Sequence, residues 1–144
     1  MIANRFPTKP TEDANNLLLR QATAEDEGRI FDWRNDPWLA SFSSGSRAVT
    51  WKEHQRWFER VLDDNRHLVF IIEINIGYPI GSIRFDRESS DAATVSVFIE
   101  KLYTGQGIGS HALIQGCAAA FEAWPIDVIK ASIKPDNNAS IKAF

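Results

Sequence analysis

The sequence predicts an α/β mixture with a mostly antiparallel centre, and three observations carry that reading. Apolar residues recur at helical spacing in early segments and again late, with Trp51, Trp57, Phe58, Val61 and Leu62 on one face of a single amphipathic helix. Between the early and late helices the pattern changes to β-branched, extended runs separated by turn residues. A strand then enters a loop holding Gly105, Gly107 and Gly109, and a helix leaves it.

The elements follow in order. Residues 17–22 read as a first strand, and Thr23 with Asp26 three positions on has the spacing of a capping box, opening a helix through about Trp33. Asn35, Asp36 and Pro37 end that helix, and a polar loop covers 41–46. Thr50 and Glu53 repeat the capping spacing and open the second helix. Residues 67–74 are almost continuously apolar, residues 75–79 carry turn chemistry, and residues 80–85 return, which describes a β-hairpin. A polar turn over 86–93 precedes a strand over 94–99. Beyond the glycine loop, Leu113, Cys117, Ala120, Phe121 and Trp124 mark the expected buried stripe of a helix that Pro125 stops. Residues 126–133 read as another strand, 134–138 as a loop and cap, and 139–144 as the start of a last helix.

Composition narrows the class. The chain has 144 residues, 44% hydrophobic and 24% charged, which excludes disorder, collagen and a membrane span. One domain is expected, burying roughly two-thirds of the surface of its unfolded chain. Residues 1–16 are polar, contain two prolines and form neither signal peptide nor anchor, so they read as a loose tail before a domain over 17–144. Cys117 is the single cysteine, with no clustered partner at metal spacing; no metal is expected, and a reducing cytoplasm is the natural location. With 16 basic against 19 acidic residues the net charge is −3 and no polybasic stripe exists, which argues against a nucleic-acid partner. A single anionic small ligand remains compatible.

A strand running into a glycine-rich turn that opens a helix aims unpaired backbone N–H groups and the positive end of the helix dipole at one point, the usual seat of a phosphate. A nucleoside-triphosphate loop would need Lys followed by Ser or Thr after its last glycine, and no lysine follows Gly109. A dinucleotide loop would come early in a βαβ unit, and Ser110 stands where its third glycine belongs. Glycines serving only a tight strand-to-helix turn are the plain structural alternative.

The segment from Ile99 through Tyr103, Thr104, Gly105, Gln106, Gly107 and Ile108 to Gly109 resembles the acyl-CoA signature V-x-P-x-Y-R-G-x-G-x-G of the GNAT N-acetyltransferase superfamily. Downstream, the segment from Asn137 to Phe144 resembles that family's second signature, N-x-x-A/S-x-x-x-Y/F, one strand later. The resemblance runs from Leu17 to Phe144 and implies a GNAT-like α/β fold, a mixed, mostly antiparallel sheet with helices on both faces. It further implies acetyl-CoA as co-substrate, with the backbone of Gly105, Gln106, Gly107, Ile108, Gly109 and Ser110 around its pyrophosphate. Val97, Phe98 and Ile99 would meet the pantetheine arm, and Asn137 would lie near the thioester. Lys101 stands where proline is common and Thr104 where Arg or Gln is usual, which implies weaker but not abolished phosphate binding.

Transfer to an amine needs a neutral nucleophile, an oxyanion site and an exit for the thiolate. The family's oxyanion donor is a main-chain N–H around Phe98 or Ile99. Many relatives carry a tyrosine acid where this chain has Phe144, and a glutamate base where it has Ser132. A thiol with a pKa near about 8.5 leaves tolerably without full protonation. The base stays unassigned: deprotonation would use a water chain or a carboxylate such as Asp86, Asp91 or Glu100, each of which reads first as a solvated turn or strand-end residue.

Trp33-Arg34-Asn35 resembles the W-R-N segment of GNAT enzymes that acetylate nucleotide-linked amino sugars, which implies an acceptor site where rings stack on a sugar or base and Arg34 reaches a phosphate. Core anchoring of Trp33 and a surface ion pair for Arg34 are the structural alternative. The expected acceptor is thus a small-molecule amine, the alternatives being a non-catalytic acyl-CoA-binding module or a protein N-acetyltransferase. Because the second signature ends on Phe144, the final strand of a GNAT domain looks missing. A frayed last helix and an open sheet edge are therefore expected, the edge suiting a homodimer.

Overall fold

In the computed structural model, which describes residues 16–42, 48–75 and 77–131, five strands form one sheet. They are β1 (Leu17–Gln21), β2 (His67–Ile74), β3 (Tyr78–Arg87), β4 (Ala92–Ile99) and β5 (Val128–Lys130), hydrogen-bonded in chain order. The first four are antiparallel neighbours and β5 runs parallel to β4. The helices are α1 (Glu27–Asn35), α2 (Pro37–Ala40), α3 (Trp51–Asp63) and α4 (Ile108–Ala123). Residues 1–15 of the expected tail, Ser132, and the second signature with Asn137 and Phe144 lie outside the described residues.

The sheet is covered on both faces, and β2 shows why its run of apolar residues is continuous. Phe70, Ile72 and Ile74 point into a core with α4, whereas Val69 and Ile71 point into a second core with α1, α2 and α3. A strand with one face in water would instead alternate.

Helix α4 lays Ile108, Ala112, Gly116 and Ala120 on the sheet, a row at i, i+4 spacing whose small members let helix and strands approach closely. Phe121, expected in that stripe, is 46% exposed because it falls off this row. Trp51 is likewise 41% exposed, and α3 buries His54, Phe58 and Val61 instead.

Helix α2 was not expected between the end of α1 and the polar loop. The Asp36 carboxylate accepts from Trp38 N and Leu39 N at 2.9 and 3.1 Å with Pro37 in the first turn, so Asp-Pro opens a second helix as it closes the first. The hairpin is also longer than its polar residues suggested. Arg87 N donates to Arg66 O and Glu88 N to Ala92 O, so ladder pairing carries the strands to a turn over 88–91. At the other end, the capping box holds: Asp26 accepts from Thr23 N at 2.8 Å, opening a short 3-10 turn (Ala24–Asp26) before α1.

Candidate active site

Strand β4 pairs with β3 along its whole length but with β5 only at Ala92, Ala93 and Thr94. Past Thr94 no described strand lines its other edge, so half the main chain of residues 95–99 there has donors and acceptors to offer. The opposite edge is pressed hard against β3. A Cβ on Gly81 would collide with the Phe98 carbonyl, and Glu100 N donates to Ile80 O at 2.9 Å. Glycine at 81 is therefore a positional requirement, one that a strand pattern does not reveal.

A 3-10 turn (Lys101–Tyr103) carries the chain from β4 into the loop. Gly105 and Gly107 have φ of +76° and +81°, the left-handed region in which side chains are strained. Gly107 is the N-cap of α4 and supplies no side-chain cap, so the first-turn amides of Ile108, Gly109 and Ser110 face outward without a capping oxygen. The side chains of Gln106 and Ile108 are buried, Gln106 Nε2 donating to Leu102 O at 3.2 Å. Their side chains are thus turned inward. Thr104, at the usual Arg or Gln position, folds back and donates to Lys101 O at 2.7 Å.

Trp33 is buried, and its Nε1 donates to Glu100 Oε1 at 3.0 Å. This bond forms one wall of a cleft of about 350 Å³ between α1, α2 and the end of β4, lined also by Arg29, Asp32, Asp36 and Lys101. Asn35 brackets Val49 with two main-chain bonds, Nδ2 to O at 3.0 Å and Oδ1 from N at 2.9 Å, closing the loop between α2 and α3.

Arg34 lies with its guanidinium carbon 4.3 Å from the centroid of Trp57, and Arg84 of β3 approaches the same ring at 5.2 Å. Arg34 Nη1 donates to His54 Nδ1 at 3.1 Å. A guanidinium has only donors, so Nδ1 carries the lone pair and the proton is on Nε2, which donates to Glu27 O at 2.8 Å. Burial, together with the charge of Arg34, holds His54 below the ordinary histidine range, so the ring is neutral. Burial and the neighbouring Arg84 likewise push Arg34 down.

Of the three carboxylates considered for the base, Asp86 is taken by His67 Nδ1 at 2.6 Å and Arg84 Nε at 2.9 Å, and Asp91 sits in the exposed turn before β4, accepting from Ser89 Oγ. Glu100 alone of the three lines the cleft. Tyr78 and Tyr103 meet edge to face at 6.3 Å, and Tyr78 is exposed. Among the described residues no group of three or more His, Cys, Asp or Glu could hold a metal, and no helix is long and apolar enough to cross a membrane.

Among the described residues, the fourth strand of a mixed sheet thus has one unpaired edge past Thr94 and runs into a glycine-built helix start. Residues 16–144 match the acetyltransferase (GNAT) domain model, and the chain belongs to that family: it is an acetyl-CoA-dependent acetyltransferase. Its fold is shared with the spermidine N-acetyltransferase of Vibrio cholerae in complex with CoA and spermine, at 16% identity and a TM-score of 0.82 over 90% of this chain and 78% of that one. A domain from Methanocaldococcus jannaschii superposes with a TM-score of 0.78 at 22% identity over 89% and 84% of the two chains. The aminoglycoside acetyltransferase AAC(6')-Ib in complex with coenzyme A gives 0.71 at 18% identity over 88% and 80%. No curated protein matches the chain by sequence.

Proposed function

We propose that this enzyme moves the acetyl group of acetyl-CoA to the primary amine of a small molecule, such as a nucleotide-linked amino sugar. The carrying observation is the edge of β4 over 95–99 that no strand pairs among the described residues, leading into the start of α4 at Gly107, which has no side-chain cap. Main-chain N–H groups of Gln106, Gly107, Ile108, Gly109 and Ser110 would hold the pyrophosphate, with Gly105 leaving open space for its approach. The main chain of Val97, Phe98 and Ile99 would pair with the pantetheine amides, and Asn137 would approach the thioester end.

When bound, acetyl-CoA supplies the acyl thioester. The protein supplies a preorganised N–H from the strand end for the developing negative oxygen, and this costs no reorganisation because β3 already clamps that segment through Gly81. The segment Trp33-Arg34-Asn35 would form the acceptor side: Trp33 fixes α1 to Glu100, Asn35 closes the following loop, and Arg34 faces the sheet. Spermidine and aminoglycoside acetyltransferases with the same fold act on small amines, which supports this class of acceptor. We take residues 17–144 as one catalytic domain, and the lone Cys117 supports a reducing, cytoplasmic setting.

A thermal-shift titration with acetyl-CoA tests the cofactor assignment, stabilisation growing with the logarithm of ligand concentration. No shift at millimolar acetyl-CoA would sink it. Thiol release on adding UDP-linked amino sugars, polyamines or peptides then ranks acceptors, and preference for peptides would overturn the small-amine reading.

A further inference from the structure

Glu100 is held on all sides except at one carboxylate oxygen. Its main-chain N–H donates to Ile80 O at 2.9 Å and its carbonyl accepts from Tyr103 N at 2.9 Å, which fixes the backbone before and after the side chain. Oε1 accepts from the indole N–H of Trp33, itself a buried ring, at 3.0 Å. Oε2 has no hydrogen bond or ion pair among the described residues. A carboxylate anchored through one oxygen keeps the lone pairs of the other for a partner the fold does not supply. Glu100 is half-buried and lines the cleft of about 350 Å³ between α1, α2 and the end of β4. The charged groups that share this cleft are Arg29, Asp32 and Asp36 on the α1 side and Lys101 on the turn after β4. The Asp36 carboxylate is committed to the amides of Trp38 and Leu39, Asp32 is exposed, and Lys101 Nζ lies 5.9 Å from the Trp38 ring. Glu100 is thus the carboxylate of the cleft that is both withdrawn from solvent and fixed in place.

The strand puts that carboxylate beside the thioester site proposed above. Ile99 is the last residue of β4 in register with β3, opposite Gly81, and Glu100 follows it directly. Side chains alternate along β4: Val97 and Ile99 pack with the α4 core, whereas Phe98 packs with the core under α1, α2 and α3. Glu100 continues the Phe98 side, as its bond to Trp33 of α1 shows. Its side chain therefore stands on the acceptor face, two residues from the main chain assigned to the developing oxyanion.

We propose that Glu100 is the catalytic base of the transfer, with Oε2 receiving the acceptor's ammonium group in the cleft and Trp33 as the positioning residue that aims it. The proposal rests on the acceptor reading above and deepens it by naming the group that makes the amine nucleophilic. The ammonium gives one proton to Oε2, and the lone pair so freed forms the C–N bond to the acetyl carbon. The C–S bond breaks with its electron pair going to sulfur, which takes the second proton from nitrogen. Amide and CoA thiol depart, and Glu100 returns its proton to water. A base placed in this way contributes on the order of 10²-fold or more to the rate.

The test pairs kinetics with a readout that needs no turnover. The amine is whichever of a UDP-linked amino sugar, spermidine and a peptide releases thiol fastest. Glu100→Gln is expected to lower kcat by about 10²-fold, with the KM for acetyl-CoA unchanged, and the deficit should shrink as pH rises toward the amine's own pKa of about 10. Glu100→Asp keeps the carboxylate one methylene short and should retain more of the rate than Glu100→Gln. Asp91→Asn, in the exposed turn before β4, should match wild type. Separately, the indole N–H resonance of Trp33, assigned by its loss in Trp33→Phe, should step with pH in the unliganded protein as Oε1 changes charge, and Glu100→Gln should remove that step. This arm decides the matter on wild-type protein even where Glu100→Gln folds poorly. A kcat within threefold of wild type in Glu100→Gln, a deficit that ignores pH, or a Trp33 resonance unmoved by pH would overturn the assignment. None of these touches the cofactor reading, which fails only if acetyl-CoA itself gives wild-type protein no thermal shift.

Discussion

The indole N–H of Trp33 donates to the Glu100 carboxylate at 3.0 Å, tying α1 to the residue that follows β4 across 67 positions of chain. One hydrogen bond thereby ties α1, the proposed acceptor-side helix, to the end of β4, the proposed cofactor strand.

Replacing Trp33 by phenylalanine keeps most of the ring and removes that bond. The expected loss is about 1–3 kcal/mol of stability, with a rise in the KM for the amine exceeding that for acetyl-CoA. Thermal melts and steady-state kinetics check both, and equal rises in the two KM values would show that α1 only buttresses the strand.

Gly107→Ala places a side chain at φ of +81°, costing roughly 1–2 kcal/mol of backbone strain and tilting the first-turn amides of α4. Acetyl-CoA should bind more weakly in a thermal-shift titration. Binding equal to wild type would place the phosphates elsewhere.

Gly81→Ala drives a Cβ into the Phe98 carbonyl. Overpacking of this kind costs about 1–3 kcal/mol, and the shift must be taken by β4 because β3 is held from the β2 side. Amide exchange at residues 98–100 should accelerate and turnover should fall. Exchange unchanged there would mean that the clamp on β4 comes from another contact.

His54 is buried and held below its ordinary pKa, so the unfolded chain binds a proton that the folded chain refuses. Stability is then full above about pH 6.5 and declines as pH falls through that value, by at most about 1.4 kcal/mol per pH unit. Melts from pH 7.5 to 5.5 should show this decline, and His54→Gln should flatten it while lowering stability at pH 7.5. A His54→Gln variant with an undiminished slope would assign the decline to another group.

Much of the scaffold was legible because local signals and period suffice for it. Thr23 with Asp26 and Thr50 with Glu53 start their helices where the capping spacing put them, since a cap is satisfied within its own turn. The Asp36-Pro37 pair was legible only in part: it stops α1, but the same chemistry starts α2. Phe121 and Trp51 misled because helical spacing defines a face while the sheet decides which line of that face it meets. In α4 that line is the one with Ala112, Gly116 and Ala120, where the backbone comes near enough to pack.

By itself the sequence determined that residues 67–74 are a continuously apolar strand, that a glycine loop joins a strand to a helix start, and which family signatures that loop carries. Those properties reside in consecutive residues. Only the tertiary structure decided that β4 has no partner on one edge past Thr94 among the described residues, that Gly81 clamps the other, and that Arg34, Trp57 and Arg84 meet in one groove. Each of these depends on atoms from distant segments coming within a few ångströms of each other. Strand register and helix seating set such distances, and no spacing along the chain encodes them.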